Sequence, residues 1–236
     1  MHHLIIHTSF DLLAVTLAVL GGWLAYKWRF RDQLEKTAAS VGTGYFIALS
    51  AGSITGSFLF GTLNLYLMDL HEAGRSVLGA LFGAIATVEL YKLKRGTRGS
   101  TGYIYVVPFC ILISVGRLGC FFSGIEDQTA GIPTAVPWGH DFGDGVMRHP
   151  VQLYESFSML AFLLFTLAML KNHRDFVIRY GFYLCAGFYG AERFLWEFLK
   201  PYKFFGPLDM FQYLCITLVL YSFFMIRGAK NAHRTA

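Results

Sequence analysis

Two arginines lie deep inside apolar stretches: Arg117, at the end of the run that starts at Ile104, and Arg193, late in the run that starts at Gly181. A cation at the bilayer centre costs about 2.5–3.5 kcal/mol, so it persists only beside an anion or a wet cavity. The guanidinium is a planar fork of donors that matches phosphate. Two of them on separate helices imply a buried site for an anionic head group. Glu197 follows Arg193 by four residues and can pair with it, which alone would give a structural ion pair. Arg117 has no acidic residue one turn away, so its partner comes from another helix, the outer loop or a ligand. Candidate proton carriers are His149, at a helix start beside Pro150, and Glu155. Gln152 and Glu155 are three apart and share a helix face. Tyr154, Arg75, Gly119 and Gln212 complete the polar or close-packed positions at the same level.

These residues must be held by membrane-spanning helices. The chain is 55% hydrophobic and only 15% charged, against about 25% charged in a soluble domain. A span needs roughly 20 apolar residues. Seven segments qualify: 9–26, 43–67, 76–91, 102–123, 151–170, 179–199 and 207–226, the third being short. The expectation is an all-α, polytopic, single-domain protein of about seven transmembrane helices. The connections 27–42, 92–101, 171–178 and 227–236, with Arg179 at a helix edge, carry 14 of the 20 lysines and arginines. They are alternate connections, so the positive-inside rule puts them and the C-terminus in the cytoplasm and the N-terminus outside. Arg117 and Arg193 then both lie roughly 20 Å from the inner face at 1.5 Å per residue. Glu89 lies near the cytoplasmic end, beside Lys92 and Lys94.

The start of the chain lacks the cationic region and cleavage site of a signal peptide, so the first apolar stretch is expected to remain as a helix. The outer connection 124–150 is long and rich in Gly, Pro and Asp, as functional loops often are. Gly52 and Gly56, and Gly79 and Gly83, have the small-xxx-small spacing of close helix contact. Pro108 is expected to kink the fourth span. Cys110, Cys120, Cys185 and Cys215 form no CxxC pair, so neither a disulfide framework nor a zinc site is expected. His140, Asp141 and Asp144 lack a strong ligand spacing, and no metal or organic cofactor is expected. The net charge of +5 is explained by topology and requires no nucleic-acid partner.

Three strings form an ordered set: Gly116-Arg117-Leu118-Gly119-Cys120-Phe121, then Arg148-His149-Pro150-Val151-Gln152-Leu153-Tyr154-Glu155, then Glu192-Arg193-Phe194 with Glu197-Phe198. This set resembles the prolipoprotein diacylglyceryl transferase family over about residues 74–212. The resemblance implies transfer of the diacylglyceryl unit of phosphatidylglycerol to a lipoprotein cysteine at the outer face of the bacterial inner membrane. It also implies that Arg117 and Arg193 match the family's two essential arginines. Two positions depart from the pattern: Leu78 stands where the family has an important histidine, and Cys120 where an asparagine follows Arg-x-Gly. The lipid donor is therefore expected to be phosphatidylglycerol or another anionic phospholipid. The acceptor is left as a thiol or hydroxyl, on a lipoprotein cysteine or elsewhere. In this reading Arg117 and Arg193 hold phosphate, His149 or Glu155 takes the acceptor's proton, and Arg75, Gly119, Gln152, Tyr154, Glu197 and Gln212 bind substrate. The alternatives are a lipid-binding or transport protein that leaves the lipid intact, and a helical scaffold subunit.

Overall fold

The computed structural model describes residues 2–234; Met1, Thr235, Ala236 and the side chains of His2, Ala232, His233 and Arg234, the last counted in the 227–236 connection, lie outside the described residues. The helices are α1 (His2–Ala25), α2 (Arg31–Val41), α3 (Thr43–Leu67), α4 (Val77–Arg95), α5 (Val106–Ser123), α6 (Val151–Asn172), α7 (Arg174–Glu197) and α8 (Met210–Arg234). Two-residue hairpins, β1 (His140–Asp141) with β2 (Met147–Arg148) and β3 (Phe204–Phe205) with β4 (Leu208–Asp209), decorate the connections.

Each of the seven expected spans coincides with a helix. Five helical stretches are long and apolar enough to cross a membrane: His3–Val41, Thr43–Leu67, Tyr103–Ser123, Val151–Asn172 and Met210–Asn231. The remaining two helices are α4, which carries Glu89, Lys92, Lys94 and Arg95, and α7, which carries Glu192, Arg193 and Glu197 among its charges. The 27–42 connection is helical up to Val41: a π-helical turn, Tyr26–Phe30, joins α1 to α2. The described part of the last connection is also helical, since α8 runs on to Arg234. Pro108 sits in the first turn of α5, after a 3-10 turn at Tyr103–Tyr105. Its missing N–H costs little there, because first-turn donors have no intrahelical acceptor. The change of helix type thus falls at the span's start rather than at a kink within it.

α6 shows how sequence sets orientation. Its buried residues include Val151, Gln152, Glu155, Ser156, Met159, Phe162, Leu163, Thr166 and Leu170, a stripe at three- and four-residue spacing. Phe157, Leu160, Leu164 and Phe165 on the other side are exposed, as lipid-facing residues are. The two glycine pairs interlock across α3 and α4. A Cβ on Gly52 would fall 2.4 Å from the Gly83 carbonyl oxygen, and one on Gly56 would fall 2.2 Å from that of Gly79. The two backbones meet with nothing between them.

Pairwise packing runs α3–α4–α8–α7–α6–α5–α1. This open sequence leaves α1 and the α3–α4 pair facing each other across a cleft. Glu89 pairs with Lys92 at 3.0 Å and accepts from the Tyr221 hydroxyl at 2.8 Å, which joins α4 to α8.

Candidate functional site

Glu155 is fully buried on the inward stripe of α6 and gathers three cations. Arg117, from α5, pairs with its Oε2. Arg193, from α7, donates to Oε1 at 2.8 Å, and Lys200 donates to the same oxygen at 2.6 Å. Glu197 lies one turn after Arg193, with Oε1 2.6 Å from Arg193 Nε and 3.5 Å from Lys200 Nζ. The contact with Arg193 is a charge contact, since the N–H does not point along it. Arg193, Glu197 and Lys200 are at most 5% exposed. Three cations meet two carboxylates, which leaves one positive charge over within these contacts. Glu192, buried next to Arg193, has no hydrogen-bond partner on either oxygen.

The two arginines of this network line a cavity of about 480 Å³, together with Arg75, Asn64, Cys120 and His7, among others. A second, largely apolar cleft of about 750 Å³ lies between α1, α3, α4 and α5, walled by residues such as Val19, Trp23, Leu49, Leu81 and Phe109. Val77 and Leu112 line both spaces. A charged chamber therefore adjoins an oily one, the division an amphiphile with an anionic head requires.

The 124–150 loop and the start of α1 close the chamber. His7 places Nδ1 3.1 Å from Asp11 and Nε2 3.1 Å from Asp127 of the loop. His3 pairs with Glu126. Cys120 Sγ lies 3.9 Å from His7 Nε2 and 3.9 Å from Arg117 Nη1. Of the described residues, His7, Cys120 and Asp127 are the one group whose donor atoms are placed to hold a metal ion. Gly119 lets α1 approach: a Cβ there would be 2.5 Å from the Phe10 Cβ. Farther out, Arg148 donates to Asp144 at 2.7 Å and holds that carboxyl below the usual carboxylate range. Lys203 does the same to Asp69, tying the α7–α8 connection to the α3–α4 connection.

Of the expected site residues, Arg117, Arg193, Glu155 and Glu197 come together in one network, and Arg75 lines the same cavity. Gln152 is fully buried beside Glu155 and donates to Thr129 of the loop at 3.2 Å. His149 and Tyr154 meet each other instead, with Nδ1 3.3 Å from the Tyr154 hydroxyl. That hydroxyl accepts from the Trp138 indole at 2.8 Å. Gln212 forms a capping box with Asp209 at the start of α8, with reciprocal bonds of 2.8 and 3.0 Å.

The family model described as prolipoprotein diacylglyceryl transferase matches residues 10–227, nearly the whole of this architecture. The chain belongs to the prolipoprotein diacylglyceryl transferase family. It is similar to proteins named phosphatidylglycerol–prolipoprotein diacylglyceryl transferase. The one from Bordetella parapertussis is 36% identical over 168 residues, covering 66% of this chain and 62% of that one. The one from Geobacter sulfurreducens is 32% identical over 193 residues, covering 74% and 71%. The one from Haemophilus influenzae is 28% identical over 233 residues, covering 90% and 84%. The alignment thus spans just under two thirds of the Bordetella relative's length. No solved structure matches the chain.

Membership in that family puts the two departures in context. Leu78, one of the two positions expected to depart from the family pattern, is only 1% exposed and belongs to the hydrophobic core. Cys120 lines the polar cavity. Sequence reasoning missed Lys200, although its spacing of three from Glu197 carried a signal. It also missed His7 and Asp127 as site residues. No local pattern joins positions 120 residues apart; only the packing of α1 on α5 does so.

Proposed function

We propose that this protein transfers the diacylglyceryl group of phosphatidylglycerol to a thiol or hydroxyl acceptor, such as a lipoprotein cysteine, at the outer face of the bacterial inner membrane. In this reading the chain is a single domain with seven spans, α4 and α7 included, an outward N-terminus and a cytoplasmic C-terminus. Its partners are an anionic phospholipid and an acceptor protein, not nucleic acid. The observation that carries the reading is the clamp on Glu155: one carboxylate fixes the arginines of two helices while both still line the polar cavity.

The lipid's phosphate sits against Arg117 and Arg193, with Arg75 nearby, and its acyl chains lie in the apolar cleft. Entry is sideways, between α1 and the α3–α4 pair. The acceptor's sulfur or oxygen, its proton passing to solvent, attacks the glycerol carbon that carries the phosphoester. The carbon–oxygen bond breaks, and glycerol phosphate leaves with the electron pair. The two guanidiniums stabilise the charge that grows on the departing phosphate oxygens. Glu155, enclosed by three cations, positions the arginines; Glu197 and Lys200 complete that frame. Gln152 links Glu155's helix to the outer loop, and Gly119 allows α1 to close on α5. His149 and Tyr154 hold the loop against α6, and Gln212 fixes the start of α8.

The test is mass spectrometry of purified protein in phosphatidylglycerol bilayers supplied with a cysteine-containing lipoprotein precursor. Release of glycerol phosphate with a diacylglyceryl adduct on the acceptor is the expected result. Bound phosphatidylglycerol that persists unchanged in the presence of acceptor would overturn the reading.

A further inference from the structure

The chamber holds a second set of groups that phosphate binding does not use. His7 Nε2, Cys120 Sγ and an Asp127 carboxylate oxygen all lie within 4.8 Å of one another. His7 Nε2 is 3.1 Å from Asp127 Oδ1 and 3.9 Å from Cys120 Sγ. Zinc–nitrogen and zinc–oxygen bonds of about 2.0–2.2 Å and zinc–sulfur bonds of about 2.3 Å put tetrahedral neighbours roughly 3–4 Å apart, which the His7–Asp127 and His7–Cys120 separations match.

Each donor is also oriented by a second group. The other ring nitrogen of His7, Nδ1, is 3.1 Å from Asp11 Oδ2, the carboxylate–histidine pairing that supports metal-binding imidazoles. Asp127 Oδ2 accepts from the Thr129 hydroxyl at 2.5 Å, and that hydroxyl oxygen accepts from Gln152 Nε2 at 3.2 Å. Arg117 Nη1 lies 3.9 Å from Cys120 Sγ, so a cation stands beside the sulfur. All three donor residues line the cavity. A thiolate, an imidazole and a carboxylate suit zinc rather than magnesium or calcium, which prefer oxygen alone.

We propose that His7, Cys120 and Asp127 form a three-ligand zinc site whose fourth position opens on the chamber and takes the acceptor as a thiolate. Without metal, His7 lies between the carboxylates of Asp11 and Asp127, and coordination would take its Nε2 lone pair. The thiolate and carboxylate ligands neutralise the zinc charge, and the incoming thiolate is balanced by the adjacent Arg117. This role rests on the transferase reading. The acceptor thiol gives its proton to solvent as its sulfur binds zinc. A sulfur lone pair then forms the bond to the glycerol carbon, and the carbon–oxygen bond breaks with its electrons on glycerol phosphate. The neutral thioether is a weaker ligand than the thiolate and leaves. The site supplies thiol activation in a chain whose counterpart of the family histidine, Leu78, cannot exchange a proton.

The test is titration of the intact, chelator-stripped protein in phosphatidylglycerol nanodiscs with cobalt(II) as the spectroscopic probe. The expected result is one tight equivalent with tetrahedral visible bands and a thiolate-to-cobalt charge-transfer band in the near ultraviolet. Cys120→Asp keeps the stoichiometry but loses the charge-transfer band, and His7→Ala lowers affinity at least tenfold. Retained phosphatidylglycerol binding shows that both variants are folded. A folded, lipid-binding protein that takes up no cobalt, or whose charge-transfer band survives Cys120→Asp, overturns the site and leaves the transferase reading standing. If cobalt binds as expected, stripping and restoring zinc must lower and restore glycerol phosphate release at least tenfold with a thiol acceptor. Release that is indifferent to zinc overturns the activating role. Absence of release under every condition would count against the transferase reading itself, and the cobalt spectrum would still decide the metal site.

Discussion

Arg193 on α7 donates to Glu155 on α6 over 2.8 Å, with both side chains almost wholly removed from solvent. The second oxygen of that carboxylate meets Arg117 from α5. Three helices are thus held at one point, while both arginines still line the polar cavity. The same contact that offsets the burial of two cations sets their spacing.

Removing the hub has a stability cost. Glu155→Ala leaves three buried cations with one fewer carboxylate, and breaking a buried ion pair costs about 3–5 kcal/mol. The expected result is a lowered thermal midpoint in detergent and loss of transfer. Glu155→Gln keeps the shape and one acceptor oxygen, so it falls between the two. Thermal unfolding followed by tryptophan fluorescence checks the order of the three proteins.

The α3–α4 contact has no room for a side chain. Gly56→Ala places a methyl 2.2 Å from the Gly79 carbonyl oxygen, backbone that no rotamer change can move aside. Overpacking of this kind costs about 1–3 kcal/mol. Gly96→Ala, where a Cβ meets nothing within 4 Å but φ is +67°, separates backbone strain from crowding. Gly56→Ala alone should disturb the chamber wall at Asn64 and Arg75 and raise KM for lipid.

Much of this organisation was legible in the sequence. Helix periodicity placed Gln152 and Glu155 on one face, and the four-residue step predicted the Arg193–Glu197 pair. Depth counted along two spans brought Arg117 and Arg193 to one level, where Glu155 joins them. The glycine pairs announced a close contact, though not that they meet each other. Lys200 escaped because it follows the apolar span, in the connection to α8, and only the return of the chain brings it under Glu155. His7 and Asp127 escaped because their encounter depends on the packing of α1 against α5, which local periodicity does not encode.

The outer hairpin carries its own pH dependence. Asp144 accepts from Arg148 and from the Val146 amide, and its carboxyl lies below the usual range chiefly through the Arg148 bond. A depressed carboxyl contributes stability above its unfolded pKa and loses it as pH falls through the folded one. Protection of the Val146 amide should therefore persist through the ordinary aspartate range and disappear only below it. Hydrogen exchange corrected for intrinsic rates tests this, and Asp144→Asn should abolish the pH dependence.

Tyr154 links loop and bundle through the Trp138 indole and His149. Tyr154→Phe removes the shared hydroxyl, at a cost of about 0.5–1.5 kcal/mol for the lost bonds. Faster proteolysis within 124–150 with a nearly unchanged thermal midpoint is the expected outcome, read by limited digestion and mass spectrometry.

In the proposed function, Arg117 binds the lipid's phosphate and stabilises its departure. Its direct test is the rate of glycerol phosphate release by Arg117→Gln in phosphatidylglycerol bilayers with saturating acceptor, at matched amounts of folded protein. Loss of a charged donor from the departing phosphate predicts a fall of at least about 100-fold, on the scale of a removed oxyanion donor. A folded Arg117→Gln protein that releases glycerol phosphate at the unaltered rate would contradict it.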